Sequence, residues 1–121
     1  MRRELRYRAA RRTLGPDAAA ANELFVTAPN ATGIELASSN NNTITSNDAN
    51  SQLSAGMEVQ NSASNRLLVN TANSNNADGI DVNGSAGVAS NLLDGDLASN
   101  NKGNGIVVAY GGNTIRNNIA R

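Results

Sequence analysis

The stretch Gly79-Ile80-Asp81-Val82 decides the fold, because the chain repeats it with small changes. The other copies are Gly33-Ile34-Glu35-Leu36, Gly56-Met57-Glu58-Val59 and Gly105-Ile106-Val107-Val108, and their glycines are 23, 23 and 26 residues apart. A second block follows each copy, over residues 42–47, 65–70, 91–96 and 113–118. Each second block starts with Asn, has one aliphatic residue at its third position, and is followed two residues later by alanine. A fixed period of this length indicates a solenoid of stacked coils.

The pattern within each repeat predicts where the core lies. Two apolar residues that are two positions apart share one face of a strand, and the residue between them lies on the other face. One coil cannot bury its apolar residues, whereas coils stacked about 4.8 Å apart form a continuous core. We expect Asn and Gly at the bends and a hydrogen-bonded ladder of aligned Asn from coil to coil. The expected ladder consists of Asn42, Asn65, Asn91 and Asn113.

The motif G-I-x-V followed by N-x-I-x-x-N, at about 23 residues per turn, resembles the repeats of the pectate-lyase-like superfamily. The resemblance covers residues 33–121 and implies an all-β, right-handed parallel β-helix of about four coils that start near residues 33, 56, 79 and 105. The three extra residues of the third repeat fall between its two blocks, around 84–87. The family includes polysaccharide lyases, hydrolases and epimerases, phage tailspikes and surface proteins without activity. It implies an extracellular, cell-surface or periplasmic location.

Residues 1–32 form a separate cationic segment. Its first twelve residues carry six arginines against Glu4, although the whole chain has ten basic and ten acidic side chains. Helix-forming residues over 2–14, followed by Gly15-Pro16, predict a short helix that caps the first coil. Alternatively, the arginines contact anionic lipid, nucleic acid or an acidic partner, or the start is not native. The candidate contact residues are Arg2, Arg3, Arg6, Arg8, Arg11 and Arg12.

Composition excludes several functions. The chain has no His and no Cys, which rules out a disulfide framework, a thiol nucleophile, a Ser-His-Asp triad and an ordinary structural zinc site. Its apolar stretches are too short for a membrane-spanning helix. No base-reading module is visible, so nucleic acid is a disfavoured partner. The His-containing motifs of many enzymes in the family are absent, and we identify no catalytic residue.

The candidate binding residues are carboxylates on the outward face. Glu35, Glu58 and Asp81 are each the middle residue of a repeated strand, so they are expected to stack on successive coils. Such a row suits a divalent cation such as calcium or a sugar, and a plain solvated acidic stripe is the alternative. Carboxylates about 5 Å apart also fit a retaining glycosidase. Tyr110 is the candidate aromatic platform for a glycan.

These observations favour a non-catalytic structural or interaction module that binds a glycan or a protein through its outer faces. The alternatives are a fragment of a polysaccharide-active enzyme and an accessory subunit docked through its arginines. No capping segment follows the fourth repeat, so its strand edge is expected to attract another chain. Either the chain is part of a longer solenoid, or it assembles with copies or partners at this edge.

Overall fold

The computed structural model describes residues 3–7, 22–26, 32–38, 40–84 and 89–121 of the 121. These residues form twelve β-strands and no helix. The first two strands, β1 (Arg3–Tyr7) and β2 (Asn22–Val26), pair in parallel. The prediction of a helix over residues 2–14 is therefore wrong for Arg3–Tyr7. These residues pair with β2, and local helix propensity does not reveal such a partner. Residues 8–14 lie outside the described part of the chain.

The other ten strands form three parallel sheets along a solenoid. Sheet 1 has the order β10-β7-β5-β3, and sheet 2 has the order β11-β8-β6-β4. Sheet 3 consists of β9 and β12, extended by bridges from Asp48 to Thr71 and from Thr71 to Leu97. The strands of sheet 1 are β3 (Ile34–Ala37), β5 (Met57–Gln60), β7 (Ile80–Asn83) and β10 (Ile106–Val108). Those of sheet 2 are β4 (Thr43–Thr45), β6 (Arg66–Leu68), β8 (Leu92–Asp94) and β11 (Thr114–Arg116), and those of sheet 3 are β9 (Leu97–Ala98) and β12 (Ile119–Ala120).

The strand register confirms the repeat. Met57 pairs with Ile34 on one side and with Ile80 on the other, and Ile80 pairs in turn with Ile106. We number the coils 1 to 4 from these four residues. The three extra residues of coil 3 lie between β7 and β8, as predicted. The chain is thus a parallel β-helix of four coils in its described repeats.

The core is the stack of inward side chains. In coils 1 to 3 these side chains are 0–1% exposed: Ile34, Leu36, Ile44, Ala49, Met57, Val59, Leu67, Ala72, Ile80, Val82, Leu93 and Ala98. In coil 4, Ile106 and Val108 are only partly buried, and Ile115 is 49% exposed. The inward side chains are therefore fully buried in coils 1 to 3 and only partly buried in coil 4.

The glycine that begins each repeat is required by close packing between coils. A Cβ atom built on Gly56 would lie 2.7 Å from the carbonyl oxygen of Gly79, and one built on Gly79 would lie 2.5 Å from that of Gly105. Real Cβ atoms essentially never approach backbone oxygen so closely. The repeated glycine therefore lets one coil rest directly on the next.

Bends between strands use residues in the left-handed backbone region, aligned from coil to coil. Of the fourteen positive-φ residues in the described part of the chain, six are serines, four are asparagines and three are glycines. The prediction of Asn and Gly at bends is confirmed, but serine is the residue used most often. Val69, with φ of 56°, is the exception, since a β-branched residue is strained in this region.

Three polar ladders run along the inside of the bends. The predicted ladder is confirmed: the backbone N–H and Nδ2 of Asn42 donate to Oδ1 of Asn65 at 2.8 and 3.0 Å, and the pattern continues through Asn91 and Asn113. A second ladder joins Asn47, Asn70, Asp96 and Asn118. A third joins Gln52, Asn75 and Asn101, and the sequence analysis missed it. The ladders satisfy backbone N–H groups that would otherwise be buried without partners.

Candidate functional site: the outward face of sheet 1

The three candidate carboxylates lie in one row. Glu35 pairs in register with Glu58, and Glu58 pairs with Asp81. The next residue of the row, in coil 4, is Val107. The predicted stacking of acidic residues on successive coils is confirmed for coils 1 to 3.

Glu35 does not belong to the accessible part of this row. Its exposed fraction is 1%, whereas Glu58 and Asp81 are half-buried. The expectation of three solvent-facing carboxylates is therefore wrong for Glu35, because its side chain is buried. The accessible acidic face begins at Glu58.

Asn83 joins the two accessible carboxylates. Its Nδ2 donates to Oδ2 of Asp81 at 2.8 Å and to Oε1 of Glu58 at 3.3 Å. Sequence analysis missed Asn83, although it stands two residues after Asp81 and must share its face of the strand. Gln60 pairs with Asn83 in register and continues this row of amides toward coil 1. The face therefore presents two carboxylates and two amides side by side.

The pKa of Asp81 is set mainly by burial. Burial raises the pKa of Asp81, and the charges of Asp78 and Glu58 raise it further, while the hydrogen bond from Asn83 opposes them. The four strands of sheet 1 contain no Lys or Arg to neutralise this face. The pair therefore suits hydrogen bonding to hydroxyl groups better than binding of an anionic group.

Two arginines of the described coils, Arg66 and Arg116, lie on another face of the solenoid. Arg116 in β11 forms an ion pair with Asp94 in β8, with Nη2 2.8 Å from Oδ2, and Nε donates to the same oxygen at 2.9 Å. Hydrogen bonds from Asn117 and Arg116 lower the pKa of Asp94. Arg66 lies in β6 of the same sheet and is exposed. Arg66 and Arg116 therefore belong to sheet 2 rather than to sheet 1.

Of the remaining candidate residues, Tyr110 lies outside the strands of sheet 1. Tyr110 is 40% exposed and lies two residues beyond β10, in the bend that follows. Arg3 and Arg6 lie in β1, whereas Arg2, Arg8, Arg11 and Arg12 fall outside the described residues. Within the described part of the chain, no group of three or more acidic side chains is arranged to hold a metal ion. No helix among those residues is long and apolar enough to cross a membrane.

Asp96 is a polar residue of the second ladder, where it is 1% exposed and substitutes for the Asn of the other coils. Its Oδ1 accepts from the backbone N–H and Nδ2 of Asn70 at 2.8 and 2.9 Å. Its role is therefore structural.

Stacked parallel coils with internal polar ladders define a parallel β-helix protein. The family described as "Right handed beta helix region" matches residues 20–120, and the chain belongs to this family. A crystal structure of the periplasmic alginate epimerase AlgG, T265N mutant, is similar with a TM-score of 0.74 and 19% identity. The match covers 84% of this chain and 27% of the epimerase chain, so this chain spans about a quarter of that protein. No curated protein matches the sequence.

Proposed function

We propose that the chain is a non-catalytic module that binds a glycan along the outward face of sheet 1. The observation that carries the proposal is the joined set of Glu58, Asp81 and Asn83, with Gln60 beside it. Carboxylates and amides in adjacent coils offer acceptors and donors at intervals of about 4.8 Å along the solenoid. An extended polymer of hydroxyl-bearing units suits such a row.

The similarity to an alginate epimerase supports a polysaccharide as the ligand class, and it also supports an extracellular or periplasmic location. That similarity is one of fold at 19% identity. The charges on this face favour a neutral glycan over a uronic-acid polymer, because two carboxylates without a neighbouring cation repel anionic units. The alternative is that this face binds a protein instead of a glycan.

The test compares two variants of coil 2. Glu58→Gln removes a charge from sheet 1, and Arg66→Gln removes one from sheet 2 of the same coil. Binding to neutral and uronic polysaccharides is measured by isothermal titration calorimetry, and folding is checked by circular dichroism. We expect Glu58→Gln to weaken glycan binding at least tenfold with unchanged folding, and Arg66→Gln to leave it intact. Equal binding by both variants would place the glycan elsewhere.

A polysaccharide-active enzyme is the second candidate, and one observation favours it. Asp81, whose pKa burial raises, stands beside Glu58 on the adjacent coil, and many glycoside hydrolases act through two neighbouring carboxyl groups. The spacing of about 4.8 Å between paired strands is close to that of retaining glycosidases. This candidate predicts new reducing ends that Glu58→Gln abolishes.

An accessory subunit docked through its arginines is the third candidate. It predicts that a chain lacking residues 2–12 loses association with a protein partner or with anionic liposomes. Retained association would dismiss it.

A further inference from the structure

The charge of Asp81 is poorly compensated by the groups around it. Its Oδ2 accepts a hydrogen bond from Nδ2 of Asn83 at 2.8 Å. Its Oδ1 is buried and accepts no hydrogen bond from the described residues. The same Nδ2 of Asn83 also donates to Oε1 of Glu58 at 3.3 Å. One neutral amide group is therefore shared between two carboxylates on adjacent coils.

The neighbouring charges on this face make ionisation of Asp81 less favourable. Burial raises its pKa most, the hydrogen bond from Asn83 lowers it, and the charges of Asp78 and Glu58 raise it further. Glu58 faces Asp81 from β5, whereas the residue that faces it from β10 is the uncharged Val107. The described strands of sheet 1 contain no Lys or Arg. Asp81 therefore takes up a proton at a higher pH than an isolated aspartate does.

We propose that Asp81 is the specificity-determining residue of this face, an inference that rests on the proposed glycan binding. While Asp81 is charged, the face accepts neutral glycans and repels the carboxylates of a uronic-acid polymer. Once Asp81 has taken up a proton from solvent, it offers an O–H donor to such a carboxylate, and the face accepts uronic-acid polymers as well. The protein thus selects the charge class of its glycan according to pH.

The proton changes the charge of the face and leaves its other polar groups in place. The accessible carboxylates of the row are Glu58 and Asp81, so a proton on Asp81 halves their negative charge. Gln60 and Asn83 pair in register beside them, and their amides offer donors and acceptors in both states of Asp81. Contacts to sugar hydroxyls are therefore kept, while the repulsion of anionic sugar units falls as the pH falls.

The test uses pairs of hexasaccharides that differ in charge. The β-1,4-linked hexamers of mannose and glucose are compared with those of mannuronic and glucuronic acid, in which C6 is a carboxylate. Binding to the full chain is measured by isothermal titration calorimetry from pH 4.5 to pH 8, where the uronic groups stay ionised. We expect the parent chain to bind a neutral hexamer at pH 8, and to bind the matching uronic hexamer about tenfold more tightly at pH 4.5 than at pH 8. Titrations in buffers of different ionisation enthalpy should show proton uptake with the uronic hexamer.

Two variants separate the charge of Asp81 from the net charge of the protein. Asp81→Asn removes the carboxylate at nearly constant side-chain size, so it should bind the uronic hexamer at pH 8 about tenfold more tightly than the parent does, without proton uptake. Asp48→Asn removes an exposed carboxylate beside Thr71, on sheet 3, and should behave as the parent. Circular dichroism checks the folding of both variants, and the pH series of the parent decides alone if Asp81→Asn does not fold.

The outcomes distinguish this inference from the proposed function. A parent chain that binds none of the hexamers at any pH would refute the proposed glycan binding and this inference with it. A parent chain that binds a neutral hexamer, but whose affinity for the uronic hexamer does not change with pH, would overturn this inference alone. A folded Asp81→Asn chain that gains no affinity for the uronic hexamer at pH 8, or an equal gain in Asp48→Asn, would also overturn it.

Discussion

Replacing Asp96 by asparagine is expected to stabilise the protein, and the gain is expected to grow as the pH rises. Asp96 is the one acidic member of the second ladder, and its Oδ2 is buried with no hydrogen-bond partner among the described residues. In the neighbouring coils the corresponding amide is used: Nδ2 of Asn70 donates to the carbonyl of Ile44, and Nδ2 of Asn118 donates to that of Leu93, both at 3.0 Å. By register, an amide at position 96 donates to the carbonyl of Leu67.

The magnitude follows from two contributions. The new hydrogen bond contributes about 1 kcal/mol, and removing an unpartnered buried oxygen contributes about 1–3 kcal/mol. Their sum is roughly 2–4 kcal/mol at pH 7, or about 8–16 °C in Tm for a chain of this size.

The pH dependence follows from the pKa of Asp96. Burial raises that pKa, hydrogen bonds from Asn70 oppose the effect, and the charge of Asp94 adds to it. The folded state therefore binds the proton more tightly than the unfolded state does. The contribution of Asp96 to stability is fully present below its unfolded pKa of about 3.9 and is lost as the pH rises through its higher folded pKa. The asparagine variant does not undergo this loss.

The assay is urea unfolding of both proteins between pH 3 and pH 8, followed by circular dichroism. The midpoint difference should be small at pH 3, where Asp96 is protonated, and should widen toward pH 8 at unchanged m-value. The control is Asp94→Asn, since hydrogen bonds lower the pKa of Asp94; this change should lower stability slightly above pH 4. A midpoint gain for Asp96→Asn that is absent or independent of pH would refute the reasoning.

Two further predictions concern the backbone. Val69→Asn should raise the free energy of unfolding by about 1 kcal/mol, because asparagine tolerates the left-handed backbone conformation better than valine does. Val69 has a φ of 56° and is 65% exposed, so the change relieves strain and sacrifices little buried apolar surface. The change is measured by urea unfolding, and a loss of stability would contradict the prediction. Gly56→Ala should cost about 1–3 kcal/mol in the same assay, since its Cβ would meet the carbonyl of Gly79. The control is Gly111→Ala, because a Cβ atom at Gly111 meets nothing within 4 Å. An equal loss of stability in both variants would exclude close packing between coils as the cause.

The repeat made the three-sided coil predictable, because its periodicity directly encodes which residues face inward. Positions such as Ile44 and Leu67 carry that signal in their type and spacing, and the register of β4 and β6 agrees with it. The first polar ladder was predictable for the same reason. The third ladder was missed because it begins with Gln52 rather than Asn, although its spacing to Asn75 is again 23 residues.

Other features depend on contacts that a single sequence does not reveal. Strand β1 exists as a pairing with β2, and its own residues favour a helix. The sequence pattern around Glu35 equals that around Glu58, so the sequence does not show that Glu35 is buried and Glu58 only half-buried. The second ladder contains an acidic residue, Asp96, in a stretch of sequence that also suits a turn, so the sequence alone does not show that this residue belongs to the ladder.

The proposed function is tested most directly by incubating the protein with neutral and uronic polysaccharides, with and without calcium. One sample of each mixture is assayed for protein that stays bound to the polysaccharide. Another is assayed for new reducing ends and unsaturated products. We expect retention on a neutral polysaccharide, weakened by Glu58→Gln, without any cleavage. Cleavage that Glu58→Gln abolishes would contradict a non-catalytic role and would make the outward face of sheet 1 an active site.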